Sequence, residues 1–331
     1  MEYSTGFFHT NIWSLYGKEG HMKLITNVCM ITAMTIGLPI LFYICFHGTS
    51  LSRQPDLDQL ESGYVIKGEK EYDLDQYILG ILPGQVETTA ELEAIKAQAI
   101  IVRTNLLRQM EEQKQIDADQ IEEVYISEEK RKEQLGEREY ERFLQILKKA
   151  VLETRGKVMR EDGELITPLF HWVSVGTTIS AKEMYGKEIS YLQAVESSWD
   201  VEAEDYMKVE LWDYETAIKK IKRQRKNSNL TESDVKERIR IRTKTRSGYV
   251  KKLTAGSETF TGEQWKSIFE LNSTNFYIEN YEGQMRIITL GKGHGLGLSL
   301  YGANEMAKQG KVSDQILKYY YHGIEIDTIY E

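Results

Sequence analysis

Residues 77–104 read Y-I-L-G-I-L-P-G-Q-V-E-T-T-A-E-L-E-A-I-K-A-Q-A-I-I-V-R-T, and how this stretch is read decides the fold. The apolar run Ile78 to Leu82 is short enough for a buried strand, and it stops at Pro83-Gly84, a pair that breaks regular structure. Thr88-x-x-Glu91 has capping-box spacing and predicts the start of a helix. Leu92, Ile95, Ala99, Val102 and Leu106 then recur at steps of three and four, which places them on one face. Ile100 and Ile101 fall off that stripe, so the helix is apolar almost all round and central. Lys96, Gln98 and Arg103 are therefore polar groups on a largely buried helix, and each needs a partner because unpaired burial is costly.

Outward from this helix, 331 residues suffice for one or two sizeable cores, and 41% hydrophobic with 28% charged residues is a globular balance. Four prolines and the lack of any repeat or low-complexity tract argue against long disordered linkers. Residues 24–46 carry no charge, enough length to cross a hydrocarbon core of ~30 Å, and they predict a single transmembrane anchor after a cytoplasmic tail at 1–23. Phe42, Tyr43, Ile44 and Phe46 are too large for a signal-cleavage site, and the bulky residue before Cys45 makes a poor lipoprotein site. Lys18 and Lys23 precede the span while Asp56, Asp58 and Glu61 follow it, which favours an extracytoplasmic C-terminal domain. Met22-Lys23 also looks like a natural start, so 1–21 is either a tail or a mis-assigned extension. Both cysteines, Cys29 and Cys45, lie in the span and leave the rest of the chain without a thiol for a disulfide or a metal.

A polar tether, 47–63, leads into a domain over 64–331. Met110 to Ala150 is rich in Glu, Lys, Gln and Arg with Phe143, Ile146, Leu147 and Val151 at helical spacing, and predicts a charged helical excursion. Val151 to Val158 then leads into a strand, Asp162-Gly163 makes a hairpin turn, and Leu165 to Val173 returns. Lys219 to Lys252 holds fourteen Lys or Arg against three acids in a chain of net charge −9. Ile239 and Ile241 alternate there with cations, an edge strand with a basic face that suits solubility or an anionic wall polymer; a domain outside the membrane seldom meets nucleic acid, and none is expected as a partner. Gly291-Lys-Gly-His294-Gly-Leu-Gly297-Leu-Ser299-Leu-Tyr301-Gly-Ala303 is no dinucleotide loop, because Leu296 occupies the third glycine position and no acidic residue follows a strand at the right spacing. Ser313 is expected to cap a last helix.

Three motifs together resemble the stage II sporulation protein D family. Lys96-Ala97-Gln98-Ala99 with Arg103-Thr104 is similar to the family's K-A-Q-A-x-x-x-R-T. The run F-H-W-V-S-V-G-T-T-I-S resembles a second motif in His171, Ser174, Gly176, Thr177 and Ser180. The glycine-rich segment resembles the third in Gly293, His294, Gly295, Ser299 and Tyr301. The resemblance spans about Tyr64 to Ile326. It implies an α+β fold in which a mixed extracytoplasmic domain, β-rich with a central buried helix, binds glycan strands of peptidoglycan along those residues and along Lys96, Gln98 and Arg103. Some relatives hold zinc with a His and cysteines; without a Cys no metal and no cofactor are expected here.

Active members of such a family are lytic transglycosylases, in which one carboxylic acid protonates the glycosidic oxygen and then, as carboxylate, takes the proton of the sugar's own C6 hydroxyl. Counting back from the K-A-Q-A match, the family's catalytic Glu falls on Gln85, which has no ionisable proton. Glu87 is the remaining acid in the loop, but it sits just before the predicted cap, where the helix dipole favours a charged carboxylate. The expectation is a glycan-binding protein impaired in catalysis, with an active enzyme using Glu87 and an activator of a wall amidase as alternatives, and with other sporulation or wall-hydrolase proteins as partners.

Overall fold

The computed structural model describes residues 57–330, with Thr35 ahead of them. Apart from Thr35, the expected tail, the span at 24–46 and the first part of the tether lie outside the described residues. Among the described residues no helix is long and apolar enough to cross a membrane.

The chain runs β1 (Val65–Lys67), β2 (Glu71–Asp73), α1 (Leu74–Ile81), α2 (Leu92–Gln109), β3 (Gln115–Asp117), α3 (Glu128–Leu135), α4 (Glu137–Glu153), β4 (Lys157–Glu161), β5 (Glu164–Leu165), β6 (Phe170–His171) and α5 (Ala181–Tyr185). There follow β7 (Met207–Trp212), α6 (Tyr214–Gln224), α7 (Glu232–Glu237), β8 (Ile239–Lys244), β9 (Val250–Ala255), β10 (Glu258–Thr261), α8 (Gly262–Phe269), β11 (Phe276–Tyr281), β12 (Gln284–Leu290), β13 (Leu298–Ser299), α9 (Leu300–Lys308), α10 (Ser313–Tyr320) and β14 (Glu325–Thr328). The fold is mixed α+β, with its strands dispersed over small sheets, β2-β1-β3, β14-β4-β5, β13-β6, β10-β9-β8 and β11-β12-β7.

Helix α2 is central because it is apolar all round. Its Ile95, Ala99, Val102 and Leu106 pack with Ile78, Leu147, Val151 and Val158, while Ala97, Ile100 and Ile101 on the other side pack with Met159, Leu298, Ile316, Leu317 and Tyr320. Each fully buried aliphatic side chain of this kind contributes about 1.5–3 kcal/mol, so the two-sided packing makes α2 the piece around which both cores condense. A third core, built on Trp265, Phe260, Phe269, Phe276, Leu253 and Ile287, lies wholly within 207–290 and forms a separate lobe.

Ile78 to Leu82 is helix, not strand. Asp73 caps α1 by accepting from the Asp75 N–H, and Tyr77, Ile78, Leu79, Gly80 and Ile81 are all buried, so the run carries no periodicity from which a strand and a helix could be told apart. Gly80 belongs to this packing, since a Cβ there would fall inside the Tyr125 ring, which stacks on Tyr77 at 4.7 Å. Thr88 does not cap α2. The helix starts at Leu92 with Glu91 as N-cap, and the Glu91 N–H is taken instead by Asn304 Oδ1 of α9 at 2.8 Å. The charged stretch after α2 is broken into β3, α3 and α4, and it buries Phe143, Leu147 and Val151 as their spacing predicts. Val151 still lies in α4, and β4 begins only at Lys157. Asp162 and Gly163 form the expected turn with positive φ, but the return strand is just β5, while β6 pairs in parallel with β13. Ser313 is the first residue of α10 after the N-cap Val312, and its N–H bonds Glu93 Oε2 at 2.7 Å.

Candidate functional site

The loop between α1 and α2 is set by a 3-10 turn, Leu82–Gly84, that ends with Gln85 donating its N–H to the Leu82 carbonyl at 2.8 Å. Gln85 lines two hollows. One, of about 340 Å³, is walled by Gln85, Glu87, Trp172, Glu204, Tyr301 and Asn304; the other, of about 330 Å³, by Gly84, Gln85, Glu122, Glu123, Val124 and Phe170. Phe170 of β6 and Trp172, just beyond its end, each line one of the hollows. An apolar wall with a few polar groups at its centre is the usual form of a ligand cleft.

Behind Gln85, Gln98 of α2 donates from Nε2 to Gln85 Oε1 at 2.8 Å, and its own Oε1 is buried with no hydrogen-bond partner. Gln98 is thus a side chain that orients residue 85 from the core. Lys96 bridges Glu93 at 2.7 Å and Glu153 at 3.3 Å. Arg103 is fully buried, donating from Nε and Nη2 to Asp75 Oδ1 at 3.0 and 2.8 Å and from Nη1 to the Thr154 carbonyl at 2.8 Å. Both cations lie away from the two hollows.

The second and third motifs interlock. The His171 ring places Nδ1 3.0 Å from the Leu296 carbonyl, so Nδ1 carries the proton, and His294 Nδ1 accepts from the Leu296 N–H at 3.0 Å. The two rings, 5.9 Å apart, clasp the backbone of one residue of the glycine loop, Leu296, from its N–H and its C=O. Gly293 and Gly297 have φ of 110° and 68°, and a Cβ at either would collide with His171 or with the Leu169 carbonyl, so the loop lies flat on β6 only with glycine there. Gly293 bonds the Asn272 carbonyl and Gly295 accepts from Ile179. Asp200 ties the motifs together: it accepts from the Ser174 N–H at 2.7 Å and from Ser299 Oγ at 2.9 Å, while Ser299 also caps α9. Burial pushes the Asp200 carboxyl up, against the bonds from Ser174, Ser299 and Ser197. Gly176 bonds Ser174 Oγ, Ser180 caps α5, and Thr177 is exposed in a bridge to Glu196.

Of the residues singled out from the sequence, Gln85, Glu87 and Tyr301 come together at the cleft, and Gln98 supports them. The remainder, Lys96, Arg103, His171, Ser174, Gly176, Thr177, Ser180, Gly293, His294, Gly295 and Ser299, line neither hollow; His171, His294 and the serines brace its wall. The sequence reading passed over Phe170, Trp172, Asn304 and Glu123. The alternation of Phe170 and Trp172 within F-H-W was a signal for the first two; the others come from segments that only the fold brings near. Burial raises the Glu123 carboxyl above its ordinary range, and Gln109, at 2.8 Å, opposes that. Among the described residues no three His, Cys, Asp or Glu side chains meet in a way that could hold a metal.

Burial, with His294 adding to it, lowers His171 to about 3, and burial with Lys266 nearby lowers His294 to about 4. An unfolded chain takes up these protons near pH 6.5, whereas the folded chain resists until about pH 4 and below. Stability is therefore complete above pH 6.5 and is lost as pH falls from there toward 3–4, at about 1.4 kcal/mol per pH unit for each histidine. The urea midpoint should fall between pH 7 and pH 5, and His171→Gln should flatten that fall. A midpoint independent of pH in the wild type would show that the rings are not held neutral.

A family model described as Stage II sporulation protein matches residues 65–160, the segment that holds β1 through β4 and Gln85. Stage II sporulation protein D of Bacillus subtilis (strain 168) is 30% identical over 261 residues, covering 76% of this chain and 74% of that protein. The protein of the same name from Bacillus amyloliquefaciens matches to the same extent. A protein of Brachyspira hyodysenteriae is 24% identical over 262 residues. The chain belongs to the stage II sporulation protein D family.

Proposed function

We propose that this chain is a membrane-anchored protein of sporulation or wall remodelling that binds peptidoglycan glycan strands in the cleft around Gln85 and does not cleave them. The carrying observation is the position of Gln85, oriented by Gln98 and lining both the hollow walled by Trp172 and the hollow walled by Phe170. Sugar rings present apolar faces and a rim of hydroxyls, which suits aromatic walls beside an amide. An amide can accept and donate hydrogen bonds there, but it has no ionisable proton for a glycosidic oxygen.

The full chain in detergent is expected to co-sediment with denuded glycan strands, and Trp172→Ala should weaken that binding about tenfold, the loss of ~1.4 kcal/mol of ring contact. Equal binding by the variant would remove the cleft from the proposal. The anchor at 24–46 implies that protease added to intact cells digests the C-terminal domain; digestion only after lysis would reverse the topology.

A further inference from the structure

The strand β7 is an edge of its sheet, paired through β12 alone. The Gly291 N–H donates to the Tyr206 carbonyl at 2.7 Å, which fixes the phase of the antiparallel ladder. Lys208, Glu210 and Trp212, opposite Thr289, Ile287 and Met285, turn their backbone groups toward β12. Met207, Val209 and Leu211 turn theirs outward, and no described residue bonds them there. Free edges are normally blunted by bulges, by proline or by cations. The β8 edge is so protected, with register shifts at Ile241, Thr243 and Lys244 and with exposed Arg240 and Arg242. On β7 no bulge, proline or excess of charge of one sign is present.

The sequence of this edge, Met207-Lys208-Val209-Glu210-Leu211, is complementary to itself when reversed. We propose that β7 pairs antiparallel with β7 of a second copy about a two-fold axis at Val209, making one six-stranded sheet. In that register Val209 faces Val209, Met207 faces Leu211 and Lys208 faces Glu210 of the other copy, an isologous arrangement. The residues brought opposite one another as bonded pairs are the same three whose N–H and C=O groups point outward, so each outward donor meets an outward acceptor. A register shifted by one residue would lose this match.

Two independent observations point to the same occupant. Met207, Val209 and Leu211 are 57%, 50% and 48% exposed on one side of the strand, apolar surface that cross-strand contacts would cover. On the other side Glu210 uses Oε1 for Lys208 at 3.0 Å, while its Oε2 is buried with no hydrogen-bond partner. Lys208 of a second copy, arriving opposite Glu210, supplies the missing donor. The turn just before β7, with Ala203, Glu204 and Asp205, lines the cleft, so the two-fold would set two clefts side by side and let one complex hold glycan at two places.

The test is sedimentation of the full chain in density-matched detergent. The wild type is expected to pass from one chain to two as concentration rises. Lys208→Glu puts two carboxylates face to face and should weaken dimerisation at least about tenfold, and the double variant Lys208→Glu/Glu210→Lys should restore it. Val209→Pro removes an outward N–H that the monomer does not use, and should leave the melting temperature near the wild type's while abolishing the dimer. A wild type that stays monomeric to about 100 µM, far above typical specific affinities, overturns the proposal; so does a folded double variant that is monomeric or a Val209→Pro protein that still dimerises.

Discussion

Gln85→Glu is expected to release anhydro-sugar ends from denuded glycan that the wild-type chain binds and leaves intact. The substitution is isosteric, and Gln98 Nε2, 2.8 Å from the Gln85 side-chain oxygen, can donate to a carboxylate as well as to an amide. The change therefore adds an ionisable proton at a residue that lines both hollows, without disturbing the support behind it. A positioned general acid is typically worth ~10²–10⁴ in rate, more where the same group must then act as base. Mass analysis of the soluble products reads the outcome directly. Glu87→Gln in the wild-type background should change nothing. If the wild type instead cleaves and Glu87→Gln silences it, the acid of this protein is Glu87; if Glu123→Gln silences it, the acid is the half-buried carboxyl across the cleft. If Gln85→Glu gains nothing over an inert wild type, the cleft is specialised for binding alone.

The largest loss of stability is expected at Arg103. Its guanidinium is fully buried, forked onto Asp75 and bonded to the Thr154 carbonyl, and it joins α2 to α1 and to the end of α4. Arg103→Met leaves Asp75 as a buried carboxylate with Tyr330 at 3.0 Å and Arg155 at 3.7 Å as its remaining partners. Breaking a buried pair from one side costs about 3–5 kcal/mol, a large share of the stability of an ordinary domain. The double variant Arg103→Met/Asp75→Asn should recover part of that loss, because it removes the stranded charge as well. Urea denaturation of the two variants measures the difference. A loss below about 1 kcal/mol in Arg103→Met would mean that the fork contributes little net energy.

The central place of α2 was legible in the sequence because a helix apolar on every side can be satisfied only from every side. Helix α1 was misread for a related reason: Ile78 to Leu82 is buried all round, so neither a period of two nor one of 3.6 shows in it. The start of α2 was misplaced because its cap is supplied from α9, by Asn304, some two hundred residues later in the chain, and no local pattern encodes such a partner. The site was legible where chemistry and resemblance coincided, at Gln85, Glu87 and Tyr301. It was not legible at His171 and His294. Histidines in a shared motif invite a role toward ligand, yet here both spend a ring nitrogen on the backbone of a single residue, Leu296. Trp172 carries no polar group that its neighbours in sequence would mark as a ligand contact, and only the fold sets it in the wall of the cleft.

The lobe over 207–290 begins and ends at one hydrogen bond, from the Gly291 N–H to the Tyr206 carbonyl. A segment whose two ends touch is an excursion from the chain's path, and the residues before and after it are already where they must be if the excursion is shortened, lengthened or exchanged. The elements that carry Phe170 and Asn304 to the cleft, β6 and α9, lie in the chain on either side of that excursion. A change of length within the lobe can leave the cleft-lining residues on either side of it in place.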